Sequence, residues 1–404
     1  MLSRIATSFS AFRYSNYRWY WVGMFFSFAS HPMQQLAKGW LVYQMTSSPL
    51  ALGGVNAAHA IPLFTLSLFG GAIADRMSKR KLIIGSELSQ GVINLIVALL
   101  VFTGTVQLWH IFLSSFLTGV ASAFRGPVRQ AIVPELVDKK DVMNAIALNS
   151  VGNNLSQILA PAVGGVLIAV FGMSAGFFII SGLLFTSALT MTRVISPLID
   201  SFGKEKDFRK DLVNGFKYLR SSSIILSLLT LTFVISFFAA PYQFMLPVFA
   251  KDIMRSGSKE LGWMMSMIGV GAIVGALAIA LLGDIKHKGY LLLGLAFLFG
   301  VSLVLFTFST YLPLSLFLLV WVGMGNTGFS VMSNTLLLSM AEPQYRGRVM
   351  SLHVLAHSLR PLGALPIGAA AELMGAPMAV GAGGALVAVF IIIISFAQRK
   401  IRQL

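Results

Sequence analysis

The stretch GGAIADRMSKRK, Gly70–Lys81, decides how this chain is read. Residues 49–73 form an apolar run that ends in it, and residues 82–103 form another that follows it. Between the runs stand one acid, Asp75, and four bases, Arg76, Lys79, Arg80 and Lys81. A run of roughly 20 apolar residues spans a bilayer as a helix. Short loops rich in Lys and Arg stay on the cytoplasmic side. The loop is therefore cytoplasmic, and the other bases fall in step with it. Arg4, Arg13, Arg18, Lys139, Lys140, the bases of 193–220, Lys286, Lys288, Arg346, Arg348, Arg399, Lys400 and Arg402 all fall on that side. Only Lys251, Arg255 and Lys259 fall in loops on the other. Both termini are then cytoplasmic. The formal charge of +16 is a topology signal and gives no reason to expect nucleic acid as a partner.

Working outward, the whole chain has the same character. It is 56% hydrophobic and 11% charged, against about 25% charged for soluble domains, and its mean hydropathy is +0.81. Twelve runs are long enough to be spans: 17–43, 49–73, 82–103, 108–133, 143–171, 174–195, 223–250, 260–282, 289–309, 312–340, 347–373 and 377–398. Alternating ten-residue strands, the mark of a membrane β-barrel, do not occur. The prediction is an all-α, multi-pass membrane protein. The first run begins near Tyr17 and is too long for the core of a cleavable signal. With no Cys there are no disulfides and no thiolate metal sites.

One long polar segment, 196–222, divides the runs six and six. Within it Phe208, Leu212, Phe216 and Leu219 recur at helical spacing, with Lys210, Asp211, Asn214 and Lys217 opposite, as in an amphipathic surface helix. The expected domains are an N-terminal half at 1–195, this cytoplasmic linker at 196–222, and a C-terminal half at 223–404. The halves repeat. Leu52-Gly53 matches Leu261-Gly262 and Asp75 matches Asp284, both offset by 209; Glu135 matches Glu342 and Val142-Met143 matches Val349-Met350, offset by 207. Parallel repeats of this kind build many secondary transporters, with substrate bound near the midplane.

The Gly71, Asp75, Arg76, Lys79, Arg80 pattern resembles the loop signature between helices 2 and 3 of the major facilitator superfamily, with Ser78 where that family prefers Gly. TSSPLALG (Thr46–Gly53), RGPVRQAIVPELV (Arg125–Val137), NAIALNS (Asn144–Ser150), LPVFAKDI (Leu246–Ile253) and RGRVMSL (Arg346–Leu352) are similar to one bacterial subgroup, that of the enterobactin exporter and macrolide efflux proteins. The resemblance implies the major facilitator fold: twelve transmembrane helices in two pseudo-symmetric six-helix halves. It also implies alternating access and export across the bacterial cytoplasmic membrane. In such a protein Asp75 would sit at the positive N-terminal end of the eleventh helix, near Arg348. Arg76 or Arg80 would pair with Glu135 or Asp138, and Asp284 would repeat the role of Asp75. The subgroup carries unrelated molecules, so the cargo has to be read from the site.

The polar residues inside the runs supply that reading. In FSFASHPMQQLAKGWLVYQ (Phe26–Gln44), Ser27, His31, Gln34, Gln35 and Lys38 share one helical face, and Pro32 interrupts it. A central Lys facing lipid costs about 2.5–3.5 kcal/mol, so the face should turn toward a wet cavity unless Lys38 snorkels to the outer surface. Comparable stripes are Asn56 and His59; Thr118, Ser122, Arg125 and Arg129; Asn149, Asn153, Ser156 and Gln157; Asn326, Ser330, Ser333 and Asn334; and His353, His357 and Arg360. Arg129 belongs to the PVRQ-like motif and reads as structural, and part of the Asn and Ser set serves as glue between helices. The paired histidines lack a neighbouring acid or thiolate, so no metal or other cofactor is expected. No nucleophile–base pair points to an enzyme. Acids inside the runs are confined to Glu87 and Glu372, each toward an end. The site should be electropositive. The leading expectation is an exporter, working as a monomer, of a small anionic, siderophore-like metabolite, with protons as the candidate coupling ion. The alternative is a macrolide or multidrug efflux pump.

Overall fold

The computed structural model describes residues 9–76, 78–195, 222–283, 286–398 and 402, apart from the side chains of 67–76, 127 and 130. The linker with its expected amphipathic helix, Asp284, and the side chains of Asp75 and Arg76 lie outside the described residues. Helices follow the apolar runs closely. They are α1 (Ser15–Thr46), α2 (Pro49–Arg76), α3 (Lys79–Phe102), α4 (Leu108–Leu136), α5 (Val142–Phe171), α6 (Met173–Met191), α7 (Ser223–Ile253), α8 (Ser258–Leu282), α9 (Lys288–Phe308), α10 (Leu312–Met340), α11 (Arg346–Ser358), α12 (Arg360–Met374) and α13 (Ala376–Ala397). Among the described residues, nine helices are long and apolar enough to cross a membrane by length and composition.

Two helices depart from regularity where proline removes a donor. The eleventh run is not one helix: α11 stops at Ser358 and α12 starts at Arg360. Pro361 has no N–H to offer the His357 carbonyl, and its ring crowds that turn, so the ladder resets at Leu359. In α7, the segments Ile235–Ala239 and Phe249–Ile253 widen to π-helical turns, closed by Ala240 N–H donating to Ile235 O (2.8 Å) and Met254 N–H to Phe249 O (2.9 Å). Pro241 and Pro247 lie between them and cannot donate to Phe237 and Gln243. By contrast α1 continues through Pro32 without a break.

The chain forms two compact units. The first holds the chain up to Thr46, the stretch from Ala58 through α6, and Gly257–Gly262. Here α1 packs on α5 and α6, and α3 on α4 and α6. Its core is fully buried at Tyr17, Tyr20, Met24, Ile83, Val128 and Ile132. The second holds Ser47–Ala57, α7 and the chain from Trp263 onward, with α9 packed on α10 and α13.

Each unit thus takes a few turns of a helix from the other half of the sequence, and repeat-related glycines make this possible. A Cβ on Gly53 would lie 2.4 Å from Ala364 O, and one on Gly262 would lie 2.4 Å from Pro161 O. Both obstacles are backbone, which cannot step aside. Gly53→Val and Gly262→Val are each expected to cost at least about 1–3 kcal/mol of packing, and to lower the melting temperature in detergent by similar amounts. Gly85→Val, which would meet nothing within 4 Å, is the control. Equal melting of all three variants would contradict the close approach.

The start of α1 is fastened outside the apolar layer. Asp141 accepts hydrogen bonds from Ser10 Oγ (2.5 Å) and Tyr14 Oη (2.7 Å), while Asn144 Oδ1 accepts from Ala11 N–H (3.1 Å). The hydroxyl of Ser10, then that of Tyr14, holds the Asp141 carboxyl below the usual range. The bond to Asp141 pushes Tyr14 up to about 12. The depressed acid contributes above its unfolded pKa and loses that contribution as pH falls through the folded one. The raised phenol contributes below its ordinary ~10 and loses it as pH rises through about 12. The clasp is therefore strongest near neutrality. Asp141→Asn is expected to speed amide hydrogen exchange of residues 11–14 at pH 7, and to remove the speeding that the wild type shows on acidification. Unchanged exchange in the variant would count against it.

Candidate transport site

In the first unit, α1 and α3 are tied by two side-chain hydrogen bonds, each between residues 60 apart. Ser27 Oγ donates to Glu87 Oε1 (2.7 Å), and Gln34 Nε2 donates to Asn94 Oδ1 (2.8 Å). Arg125 of α4 reaches the same carboxylate, with Nη1 3.4 Å from Glu87 Oε1. This corrects one expectation. Glu87 is not a terminal acid, since it lies nine residues into α3 and is 0% exposed. Arg125, one of the expected cations, has it as an ion-pair partner. Gln34 is likewise committed to a neighbouring helix.

Lys38 is held differently. Its ammonium donates to Thr118 Oγ1 (3.1 Å) and Ser115 Oγ (3.4 Å) of α4. Among the described residues no carboxylate comes within ion-pair reach of it. His59 of α2 meets the same turn of α4, with Nδ1 3.3 Å from Ser115 O. The two bases therefore flank Ser115. His31 is half-buried, and its Nε2 has no hydrogen-bond partner among the described residues. Gln35 and Asn153 are half-buried too. Asn149 accepts from Tyr17 Oη (3.2 Å), and Arg129 stacks its guanidinium 4.9 Å from the Phe28 ring, so both do structural work.

In the second unit, α10, α11 and α12 carry the polar groups. The rings of His353 and His357 lie 4.7 Å apart. His357 Nδ1 faces His353 O (3.3 Å) and its Nε2 faces Ser330 Oγ (3.0 Å). A carbonyl can only accept, which puts a hydrogen on Nδ1 and leaves Nε2 to Ser330. These groups, with Asn334 and Ser358, line a cavity of about 380 Å³, within the range of metabolite sites.

Beyond the break, Arg360 Nε is buried and has no partner among the described residues, and the same is true of Tyr242 Oη on α7. Each lies within the other's electrostatic reach. Gly363 makes the approach possible: a Cβ there would sit 2.2 Å from Phe237 O, the carbonyl that Pro241 leaves free. Asn326 is buried on α10, and Asn56 turns back to donate to Leu52 O (2.8 Å).

The expected gating residues are only partly placed. Among the described residues Glu135 pairs with Lys79, and the guanidinium of Arg80 donates to Thr192 O. Arg348 lies 5.5 Å from the Tyr345 ring in the first turn of α11. Sequence reading missed the α3 ladder of Ser86, Gln90 and Asn94 around Glu87, although its i, i+4, i+8 spacing was visible, and it missed Tyr242. Glu372 also has a definite task. Its Oε2 accepts from Ser48 Oγ (2.8 Å) and Leu50 N–H (3.1 Å), and so caps the start of α2.

The family model described as transmembrane secretion effector matches residues 6–403. The chain belongs to this family. As a transmembrane secretion effector it is a membrane efflux transporter of the major facilitator type. It is 23% identical to the staphyloferrin A transporter of Staphylococcus aureus over 393 residues, covering 95% of this chain and 97% of that one. It is 24% identical to macrolide efflux protein A of Streptococcus pyogenes over 356 residues, covering 86% of each. It is 22% identical to the enterobactin exporter EntS of Shigella boydii over 367 residues, covering 90% and 87%. Among solved structures, the nucleoside transporter NupG superposes with a TM-score of 0.74 at 13% identity, covering 96% of this chain and 99% of that one. A bacterial homologue of the human lysosomal transporter Spinster, inward-facing and unoccupied, gives 0.72 at 12%, covering 96% and 98%. At these identities the solved structures establish the transmembrane secretion effector's fold and nothing of its cargo.

Proposed function

We propose that this protein is a secondary active exporter of a small anionic or acidic metabolite, siderophore-like in character, that works by alternating access in the bacterial cytoplasmic membrane. It acts as a monomer with both termini in the cytoplasm. One observation carries the reading: each unit presents a cation that is met by no acid among the described residues. Lys38 is met by hydroxyls alone, and Arg360 offers an unused Nε–H. Donors without acceptors are what an anionic ligand satisfies. Two relatives named for siderophores support the class. The membrane potential favours it too, since an anion leaving a negative cytoplasm gains about 2.3 kcal/mol per charge per 100 mV.

A second reading, a macrolide or multidrug exporter, is favoured by the equal likeness to macrolide efflux protein A. Counterflow in proteoliposomes separates the two. Staphyloferrin A, enterobactin, a macrolide and a cationic dye would be offered in turn, with the potential set by a potassium gradient. Exchange of an acid, accelerated by a potential that pulls anions out, is the expected result. Exchange of the macrolide or the dye alone would replace the first reading with the second.

A further inference from the structure

Glu87 uses only one of its oxygens. Oε1 accepts from Ser27 Oγ and from Arg125, whereas the buried Oε2 has no partner among the described residues. One turn further along α3, Gln90 Oε1 is also buried and without a partner. The orientation of the Gln90 amide follows from its neighbour. Ser86 has one hydroxyl hydrogen, and it goes to Ala121 O (2.8 Å). Ser86 Oγ can therefore only accept from Gln90, so Nε2 must point at it (3.3 Å) and Oε1 must point away. Two acceptors at i and i+3 then share one face of a helix, both buried and both lacking a donor.

We propose that Glu87 is a proton-binding site of this transporter. The proton adds to Oε2, and the new O–H donates to Gln90 Oε1. The carboxyl group loses its charge, so its tie to Arg125 weakens. No other bond forms or breaks, and the proton comes from and returns to water. The surroundings suit a reversible site. The pair with Arg125 is a single contact of 3.4 Å, longer than the 2.7–2.9 Å of a strong charge-assisted bond. From α1 the group that meets it is Ser27 and from α4 it is Arg125; Arg129 and His31 lie within electrostatic reach of Arg125 rather than in contact with Glu87. The helix α6, packed against α3, contains no ionisable residue. Along α3 itself the bases Lys79, Arg80 and Lys81 stand two turns away, and Lys79 is committed to Glu135.

The test needs no cargo, and so it stands or falls apart from the anion reading. Infrared difference spectra of the purified protein in detergent, stepped between acidic and alkaline buffer, should show a protonated-carboxyl C=O band. The band should be lost in Glu87→Gln and retained in Glu372→Gln. Gln90→Leu removes the proposed acceptor while keeping Glu87, and it should shift the band without abolishing it. This variant also covers the case in which Glu87→Gln folds poorly. Identical spectra for wild type and Glu87→Gln would overturn the proposal, as would a band that Gln90→Leu leaves unmoved.

Discussion

Arg360→Ala is expected to abolish most transport of acidic cargo and to leave any dye transport intact. In the folded chain the Arg360 Nε and the Tyr242 hydroxyl are buried donors with no acceptor among the described residues. A ligand anion that supplies the acceptor forms charge-assisted hydrogen bonds worth about 1.5–3 kcal/mol each. Losing one such bond lowers apparent affinity roughly ten- to hundred-fold. Lys38→Ala should lower it to a similar degree, because Thr118 and Ser115 can solvate an ammonium but cannot replace its charge. Removal of Arg360 strands no acid, so expression and melting temperature should stay close to wild type. The measurement is counterflow at several cargo concentrations, with melting followed in parallel. If both variants carry acids normally, the anion reading fails.

Arg125→Met should have the opposite profile: a large loss of stability whatever the cargo. Glu87 is 0% exposed and Arg125 is its ion-pair partner. In alkaline buffer, where Glu87 keeps its charge, breaking a buried pair from one side leaves that charge uncompensated, at a cost of about 3–5 kcal/mol; in acid, protonation of Glu87 should relieve most of the loss. Replacing both partners with neutral groups removes that charge. The double variant Glu87→Gln with Arg125→Met is therefore expected to recover most of the melting temperature that Arg125→Met loses. A double variant as unstable as the single one would mean that Arg125 acts through packing and not through the charge of Glu87.

The two predictions separate two kinds of cation that look alike in sequence. Lys38, Arg125 and Arg360 each stand on a polar stripe inside an apolar run. Only Arg125 has its acid supplied by a different helix. The stripe tells which face of a helix is polar, because side chains at i, i+4 and i+7 stack on one side. It does not tell which neighbouring face it meets.

Much of the fold was legible because its cause is local. The length of an apolar run and the basic loop after Gly70 are properties of consecutive residues. They follow from the cost of placing charge and unpaired backbone in lipid. The Leu52-Gly53 and Leu261-Gly262 repeat was legible too, and in the structure Gly53 and Gly262 make matching backbone approaches. The division at Leu359 has a local cause in Pro361, which lacks the donor a continuous helix needs. What only the tertiary structure decided was the choice of partners. Neighbouring residues on a helix point about 100° apart, so Lys79 meets Glu135 because of how α3 is rotated against α4. Glu87 read as an acid near a helix end. The register of α1 against α3 buries it beneath Ser27 and Arg125. Helix rotation and register are settled by many small packing contacts summed over distant parts of the chain, and no stretch of sequence holds that sum.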